Sequence, residues 1–142
     1  MTIAVAVGVV APGGAVDKLG RVTEFSAGIT PGASRQGITA GPDGNLWFIS
    51  NFGTLIGRIT PTGEITELSS GLPDFGGSSG PADLTAGPAG NLWFTDRAQT
   101  RIGRITPTGE VTEFSAGITP ESGLDSITAG PDGNLWFTEA DA

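Results

Sequence analysis

The chain has 142 residues, a formal net charge of −8, and neither cysteine nor histidine. The missing cysteine excludes a disulfide framework, a thiolate metal site and a cysteine nucleophile, and the missing histidine removes the commonest general base near neutral pH. The excess of 15 acidic over 7 basic residues argues against nucleic acid as a partner, since a phosphate backbone would be repelled.

Glycine and proline are the most abundant turn formers, with 24 and 10 residues, about a quarter of the chain. They fall at fixed phases between apolar, β-favouring runs such as residues 46–49, so we interpret them as turn residues rather than as a sign of disorder. No helix is predicted, because glycine or proline interrupts nearly every window of about ten residues and no apolar pattern has the 3.6-residue period.

The first apolar run, residues 3–11, is only about half as long as a membrane span needs. No Lys or Arg precedes it, as a signal peptide would require. We predict a strand here and no membrane partner, with an atypical export signal as the alternative. The compartment stays open between cytoplasmic and exported.

Three near-identical repeats follow. Trp47, Trp93 and Trp136 anchor copies that are 46 and 43 residues apart, a spacing typical of solenoids, propellers or arrays. Each tryptophan lies in mid-strand between Leu and Phe, which favours packing between sheets over sugar stacking. The copies of the shared decapeptide are Thr39–Phe48, Thr85–Phe94, where Ala89 replaces Asp43, and Thr128–Phe137.

Each full repeat contains four short extended segments separated by turns. In the second copy they are Asp83–Gly87, Asn91–Asp96, Ile102–Thr106 and Glu110–Phe114. Proline followed by glycine in the turns suits tight hairpins, so each repeat predicts one four-stranded antiparallel meander. Because such a sheet has apolar residues on both faces, it must pack against copies of itself. The predicted fold is all-β, a β-propeller arc of about three such blades.

The single domain, residues 1–142, divides by phase into two whole blades, 37–68 and 83–114, and two fragments. The first fragment, residues 1–25, supplies the closing strands of a blade: its segments 14–17 and 21–25 match the last two strands. The second fragment, residues 126–139, supplies the opening strands and matches the first two. Propellers typically carry about four to eight blades, so three are too few for a ring. We predict closure by oligomerisation, with a six-bladed homodimer favoured and a nine-bladed homotrimer second. Residues 3–10 align by phase with the second strand of a blade. We expect them either to compete with the carboxy-terminal strand of the chain or to cover a sheet edge.

The segment Gly130–Glu139, followed in the other copies by the block Ile102–Glu110, resembles the virginiamycin B lyase family of streptogramin lyases. The resemblance covers residues 15–139. It implies a propeller, in the family a single chain of seven blades, with a site at one mouth of the central channel. There, histidines and a carboxylate surround a magnesium ion, and a histidine is the base in an elimination that opens a cyclic antibiotic at an ester linkage.

Family histidines often precede the inner-strand Gly-Ile-Thr. Those places hold Gln36, Asp83 or its neighbour Ala82, and Asp125 in this chain, which disfavours lyase activity. The candidate binding residues at the channel mouth are Gln36, Asp83, Asp125, Asp96 and Glu139. No catalytic residue is assigned and no cofactor is required. The four carboxylates could bind Mg²⁺ or Ca²⁺, which would raise the melting temperature; the alternative is that they are solvated loop and strand-end residues.

Three functions remain open at this point. The near identity of the copies favours a non-enzymatic, self-assembling propeller scaffold. The loops 32–36, 73–82 and 121–125, where the copies differ most, suit a module that binds a small ligand, metal or peptide. The third is a degenerate or truncated streptogramin lyase.

Overall fold

Strands make up almost all of the regular structure. The structure, a computed structural model, describes residues 3–5, 23–32, 35–50, 55–68 and 80–140. Helical structure in these ranges is limited to a 3-10 turn at Pro88–Gly90, and no helix there has the length and apolar character for a membrane crossing. The all-β prediction is confirmed. The strands are β1 (Ile3–Val5), β2 (Thr23–Phe25), β3 (Arg35–Ala40), β4 (Leu46–Ser50), β5 (Leu55–Ile59), β6 (Ile65–Leu68), β7 (Pro81–Gly87), β8 (Asn91–Asp96), β9 (Arg101–Ile105), β10 (Val111–Phe114), β11 (Leu124–Ala129) and β12 (Leu135–Glu139).

Two complete four-stranded antiparallel sheets are present, as the repeats predicted. Strands β3–β6 form the first blade and β7–β10 the second blade, each a meander in which sequence neighbours pair. Strands β11 and β12 form a two-stranded sheet, the terminal pair, which repeats the first two strands of a blade. Strands β1 and β2 form another, the leading pair.

The leading pair has the register of the outer half of a blade. Ile3 pairs with Phe25 as Ile102 of β9 pairs with Phe114 of β10. Strand β1 therefore stands in a third-strand position, not in the second-strand position that its phase predicted. Residues 14–17, the third strand that the sequence predicted for this fragment, lie outside the described residues.

The third hairpin of each blade closes through a threonine. Backbone N–H of Thr60 donates to the carbonyl of Glu64 at 2.9 Å, and the Thr60 hydroxyl accepts from the Glu64 N–H at 3.1 Å. Gly63 turns the chain with a φ of +91°, which glycine adopts without strain. Thr106, Gly109 and Glu110 repeat this arrangement, so the recurring sequence produces the same turn twice.

A phenylalanine and a glycine form one packing unit inside each blade. Phe48 and Phe94 are 2% and 0% exposed, and pair in register with Gly57 and Gly103 of the adjacent strand. A Cβ on either glycine would overlap the phenylalanine ring. The third strand therefore needs glycine at this place so that the ring can lie flat against the backbone.

Apolar clusters hold successive sheets face to face. The order along the stack is leading pair, first blade, second blade, terminal pair. The clusters, in that order, are Phe25 and Ile29 with Phe48, Ile59 and Ile65; Trp47, Ile49 and Ile56 with Leu84, Leu92, Phe94 and Ile105; and Trp93 and Ile102 with Ile118, Leu124 and Ile127.

Candidate functional site at the first-strand bulges

A β-bulge interrupts the first strand of both blades and of the terminal pair. Bulges redirect side chains and are frequent next to active sites. The predicted residues Gln36, Asp83 and Asp125 all lie at these irregularities, near the start of neighbouring first strands. Pairing shifts between Gln36 and Ile38, between Pro81 and Leu84, and between Leu124 and Ile127.

The register decides which residue of the second blade corresponds to Gln36, a choice that the sequence left open. Ile38, Leu84 and Ile127 occupy equivalent places, because each pairs with the repeated phenylalanine. Counting back from them places Asp83 one residue later than Gln36. The equivalent residues are Gln36, Ala82 and Asp125, followed by Gly37, Asp83 and Ser126.

Asp83 joins the second blade to the terminal pair. Its Oδ2 accepts a hydrogen bond from the backbone N–H of Ile127 at 3.0 Å, across the junction. Its Oδ1 accepts from the N–H of Leu84 at 2.9 Å. Both carboxylate oxygens are thus bound to backbone, which makes Asp83 a stabilising residue of this junction.

Thr95 makes a second connection across the same junction. Its hydroxyl donates to the carbonyl oxygen of Asp125 at 2.7 Å and accepts from the N–H of Asp83 at 3.1 Å. Sequence reasoning missed this residue. The signal was present, because the position after the shared decapeptide is Ile49 in the first copy and threonine in the other two.

The junction between the two blades is apolar instead. Ile49 stands at the place of Thr95, is fully buried and packs in the cluster between the blades. Gly37 stands at the place of Asp83, without a side chain to bridge the sheets. The two junctions of a nearly exact repeat are therefore held by different interactions.

The other predicted ligands do not converge. Asp125 is exposed, with Oδ1 4.0 Å from Nη1 of Arg97, and such a surface pair adds little stability. Glu139 is half-buried and pairs with Leu124, and Gln36 pairs with Ile49. Among the described residues, no three His, Cys, Asp or Glu side chains are placed to share a metal ion. The Mg²⁺ or Ca²⁺ site stays a prediction.

Asp96 is fully buried at the end of β8. Its Oδ1 accepts from the N–H groups of Ala98 and Gln99 at 3.0 and 3.1 Å. Burial raises the pKa of the Asp96 carboxyl, and the Glu113 carboxylate adds to that rise, against the lowering effect of the two N–H groups and Arg101. Its surroundings differ from those of the exposed carboxylates with which the sequence grouped it.

The tryptophan side chains differ in how their indole N–H is satisfied. Nε1 of Trp47 donates to Asp43 at 3.0 Å, and that of Trp136 to Asp132 at 3.2 Å. Nε1 of Trp93 is buried and finds no acceptor in the described part of the chain, because Ala89 replaces the aspartate. Ala89 also has a φ of +58°, in the left-handed region. The first hairpin of the second blade thus combines an unpaired donor with backbone strain.

Replacing Ala89 by aspartate is expected to stabilise the chain by about 1–2 kcal/mol at pH 7, because the carboxylate would accept the buried Trp93 N–H. Urea unfolding of A89D against the unsubstituted chain measures the gain. D43A is the matched control, since it removes the same bond from the first blade and should destabilise by a similar amount. An A89D variant no more stable at pH 7 would contradict the prediction.

The gain should disappear in acid. Burial raises the pKa of Asp43, but the hydrogen bonds from Trp47 and Asn45 outweigh it and leave the pKa below its ordinary value. In Asp132 the side-chain bond from Asn134 is the largest cause of a lowered pKa. A carboxyl group with a depressed folded-state pKa stabilises above its unfolded pKa, and the effect is lost as the pH falls through the folded-state pKa. Repeating the A89D measurement from pH 7 to pH 3 tests this.

The fold and sequence match solved lyases. The selenomethionine-substituted virginiamycin B lyase from Staphylococcus aureus has a TM-score of 0.72 and 41% identity, over 86% of this chain and 40% of that chain. A catalytically inactive histidine-to-alanine variant of that lyase with quinupristin also scores 0.72, at 41% identity, over 84% and 39%. A streptogramin B lyase gives 0.71 and 37% identity, over 85% and 39%. The chain spans about 40% of the length of these enzymes.

A family model agrees with the structural matches. A comparison with curated proteins finds no match. The model of the Virginiamycin B lyase family, in contrast, matches residues 13–142, nearly the whole chain. The repeats, the antiparallel blades and this match together show that the chain belongs to the virginiamycin B lyase family.

Proposed function

We propose that the chain is a non-catalytic, self-assembling blade module of the virginiamycin B lyase fold, and that identical chains join head to tail into a closed ring. Two chains, giving six blades, are favoured over three. The observation that carries the proposal is a pair of complementary exposed surfaces at opposite ends of the stack. The 142 residues contribute no imidazole, whereas a lyase of the family is inactive when one histidine is replaced by alanine.

The first of these surfaces is on the terminal pair. Trp136 is 58% exposed, whereas the equivalent Trp47 is 9% exposed because the second blade covers it. An open cavity with a volume of about 400 Å³ runs along this face. It is lined by Trp136 together with Ser126, Thr128 and Thr138. This is the face on which a following blade packs at the internal junctions.

The second surface is on the first blade. Ile38 is 54% exposed, whereas its equivalents Leu84 and Ile127 are 4% and 5% exposed because the preceding sheet covers them. Ile38 of one chain against Trp136 of the next would reproduce an internal junction. Burying a side chain of this size contributes about 1.5–3 kcal/mol, so covering both surfaces provides a driving force for association.

The outer strands support the same arrangement. Phe137 is 37% exposed, since no third strand pairs with β12 among the described residues. Strand β1 of the leading pair has the register of a third strand. In the ring, β1 of one chain would therefore pair with the open edge of β12 of the neighbouring chain. Unpaired strand edges of this kind are sites of association.

Mass in solution tests the proposal. We expect a species of about 28.6 kDa by light scattering, twice the 14.3 kDa of one chain, with 42.9 kDa as the trimer. I38S and W136S should each shift the mass toward the single chain, and mixing the two should restore part of the dimer, because one of the two junctions then has both native residues. A monodisperse species of 14.3 kDa would overturn the proposal.

Two further variants sharpen the test. T108S is the control, because Thr108 is exposed in the third hairpin turn of the second blade, away from both surfaces. It should keep the mass of the unsubstituted chain. F114S should lower the mass, because Phe114 stands where Leu68 of the first blade packs against the next sheet, and in the ring the leading pair of a neighbouring chain would cover it.

A second candidate function, streptogramin lyase activity, is favoured by the family match and the 41% identity. Incubating the purified chain with quinupristin and Mg²⁺, followed by mass spectrometry and hydrolytic controls, distinguishes the two. Ring opening above the buffer control would support a lyase and overturn the non-catalytic proposal. An unchanged antibiotic, together with a dimeric mass, would support the module.

A further inference from the structure

The second and fourth strands of the second blade bring two carboxyl groups to one face of the sheet, and we call Asp96 and Glu113 the carboxyl pair. Asp96 is opposite Arg101, and Glu113 is opposite Gly103 two residues further along β9. Cross-strand partners and alternate residues share a face, so these side chains lie on the same side. Gly103 leaves the space between them without a side chain of its own.

Each member of the carboxyl pair has one satisfied and one unsatisfied oxygen. Asp96 Oδ1 accepts two backbone N–H bonds, and Glu113 Oε2 accepts from Nη1 of Arg101 at 2.8 Å. Asp96 Oδ2 and Glu113 Oε1 are both buried and have no partner among the described residues. A buried acceptor without a donor is costly, and one donor between two such acceptors on the same face would satisfy both.

The first blade shows which donor the same position uses. Ser50 takes the place of Asp96, and Glu67 takes the place of Glu113. The Ser50 hydroxyl donates to Glu67 Oε1 at 2.6 Å. Oε1 of Glu67 corresponds to the unsatisfied Oε1 of Glu113, so an O–H group occupies in the first blade the place that is unfilled in the second.

We propose that the carboxyl pair binds one proton, that Asp96 Oδ2–H donates to Glu113 Oε1, and that this bond fastens the second strand to the fourth in a pH-dependent way. With the proton bound, Asp96 is neutral and Glu113 keeps its ion pair with Arg101. When the proton leaves, the fully buried carboxylate of Asp96 and the partly buried carboxylate of Glu113 face one guanidinium. The second blade is then weaker than the first, whose serine hydroxyl donates at any pH.

The surrounding charges agree with a single proton. Arg101 on β9 is the cation that faces the pair, and its one positive charge balances one of the two carboxylates. Arg97, in the turn after β8, lies near Asp125 of β11 instead. Asp83 on β7 is bound to the N–H groups of Leu84 and Ile127. Burial and Glu113 raise the pKa of Asp96, the direction that retains a proton.

The sign of the pH effect follows from that direction. Between the ordinary aspartate pKa, about 3.9, and the higher folded-state pKa, the folded chain holds one proton more than the unfolded chain. In this window the contribution of Asp96 makes the unfolding constant rise by up to about tenfold per pH unit. The stabilisation by the bound proton is fully present below this window and is lost as the pH rises through the folded-state pKa of Asp96.

Urea unfolding from pH 4 to pH 8 tests the proposal. The quantity compared is the unfolding constant of the unsubstituted chain divided by that of D96N. Asparagine keeps the acceptor for the turn and donates permanently to Glu113. We expect the ratio to rise with pH and level off, leaving D96N the more stable above the window. D125N, at an exposed carboxylate, is the matched control and should give a flat ratio. A flat ratio for D96N would overturn the proposal.

Three measurements keep the test decisive if D96N folds poorly. The ¹³C carboxyl resonance of Asp96 in the unsubstituted chain should titrate above the range of free aspartate, and an Asp96 ionised down to about pH 4 would overturn the proposal. D96S, which installs the residue of the first blade, should also abolish the pH-dependent ratio. If Mg²⁺, Ca²⁺ or K⁺ at pH 8 raises the melting temperature of the unsubstituted chain but not of D96S, the pair binds a cation and the proton proposal is wrong.

Discussion

Replacing Gly103 by alanine is expected to destabilise the chain by about 3 kcal/mol, since an added Cβ would overlap the ring of Phe94, which is fully buried. Gly103 is not in the left-handed region, so alanine adds no backbone strain there. The whole effect therefore measures the loss of room for the ring. Urea unfolding at pH 7 provides the measurement.

Gly109 offers a matched control. It has a φ of +88°, and no atom of the described residues lies within 4 Å of the place that a Cβ would take. G109A should therefore add only backbone strain of about 1–2 kcal/mol. Combining G103A with F94L should recover part of the lost stability, because the two residues form one packing unit. A G103A variant as stable as the unsubstituted chain, or strictly additive effects in the double variant, would contradict the packing unit.

Removing the carboxylate of Asp83 is the second large effect, with an expected loss of about 2–3 kcal/mol in D83A. The backbone N–H of Ile127 would lose its acceptor across the junction, and that of Leu84 would lose one within the blade. D83N retains one carbonyl acceptor and should fall between D83A and the unsubstituted chain. Urea unfolding ranks the three.

Hydrogen exchange locates the effect. In D83A the amide of Ile127 should exchange faster, while amides of the first blade keep their protection, since the apolar junction there does not use Asp83. T95V, which removes the hydroxyl that bridges to the carbonyl of Asp125, should also speed exchange in β11. D125N should change little, because its ion pair with Arg97 is exposed. Unchanged exchange at Ile127 in D83A would show that the bond does not hold the junction.

The sequence predicted the strands and their pairing because the information is local. Proline and glycine fix the turns, and the alternation along residues 46–49 places bulk on both faces of the second strand. The threonine-closed hairpin at residues 60–64 recurs unchanged at 106–110 for the same reason. The exception is β1, whose apolar phase suggested a second strand, whereas its partner β2 gives it a third-strand register.

The site was predicted less well, because its residues act through contacts between sheets. The position of Asp83 predicts a ligand, yet both of its oxygens are bound to backbone N–H groups of its own and the next sheet. The sequence groups Asp96 with exposed carboxylates, yet it is fully buried beside Glu113. The change from Ile49 to Thr95 is visible in the sequence, but its role becomes clear only when the facing carbonyl of Asp125 is known.

The amino-acid sequence by itself determined the repeat, the all-β class and the four-stranded sheets, since these depend on composition, turn residues and period. Only the tertiary structure decided what each divergent position does: an apolar junction at Ile49, a polar one at Thr95 and Asp83, and a buried acid at Asp96 where the first blade has Ser50. The physical reason is that the hydrogen bonds that join Thr95 and Asp83 to facing strands connect residues 12 to 44 positions apart, and the local sequence does not record which residues will face each other.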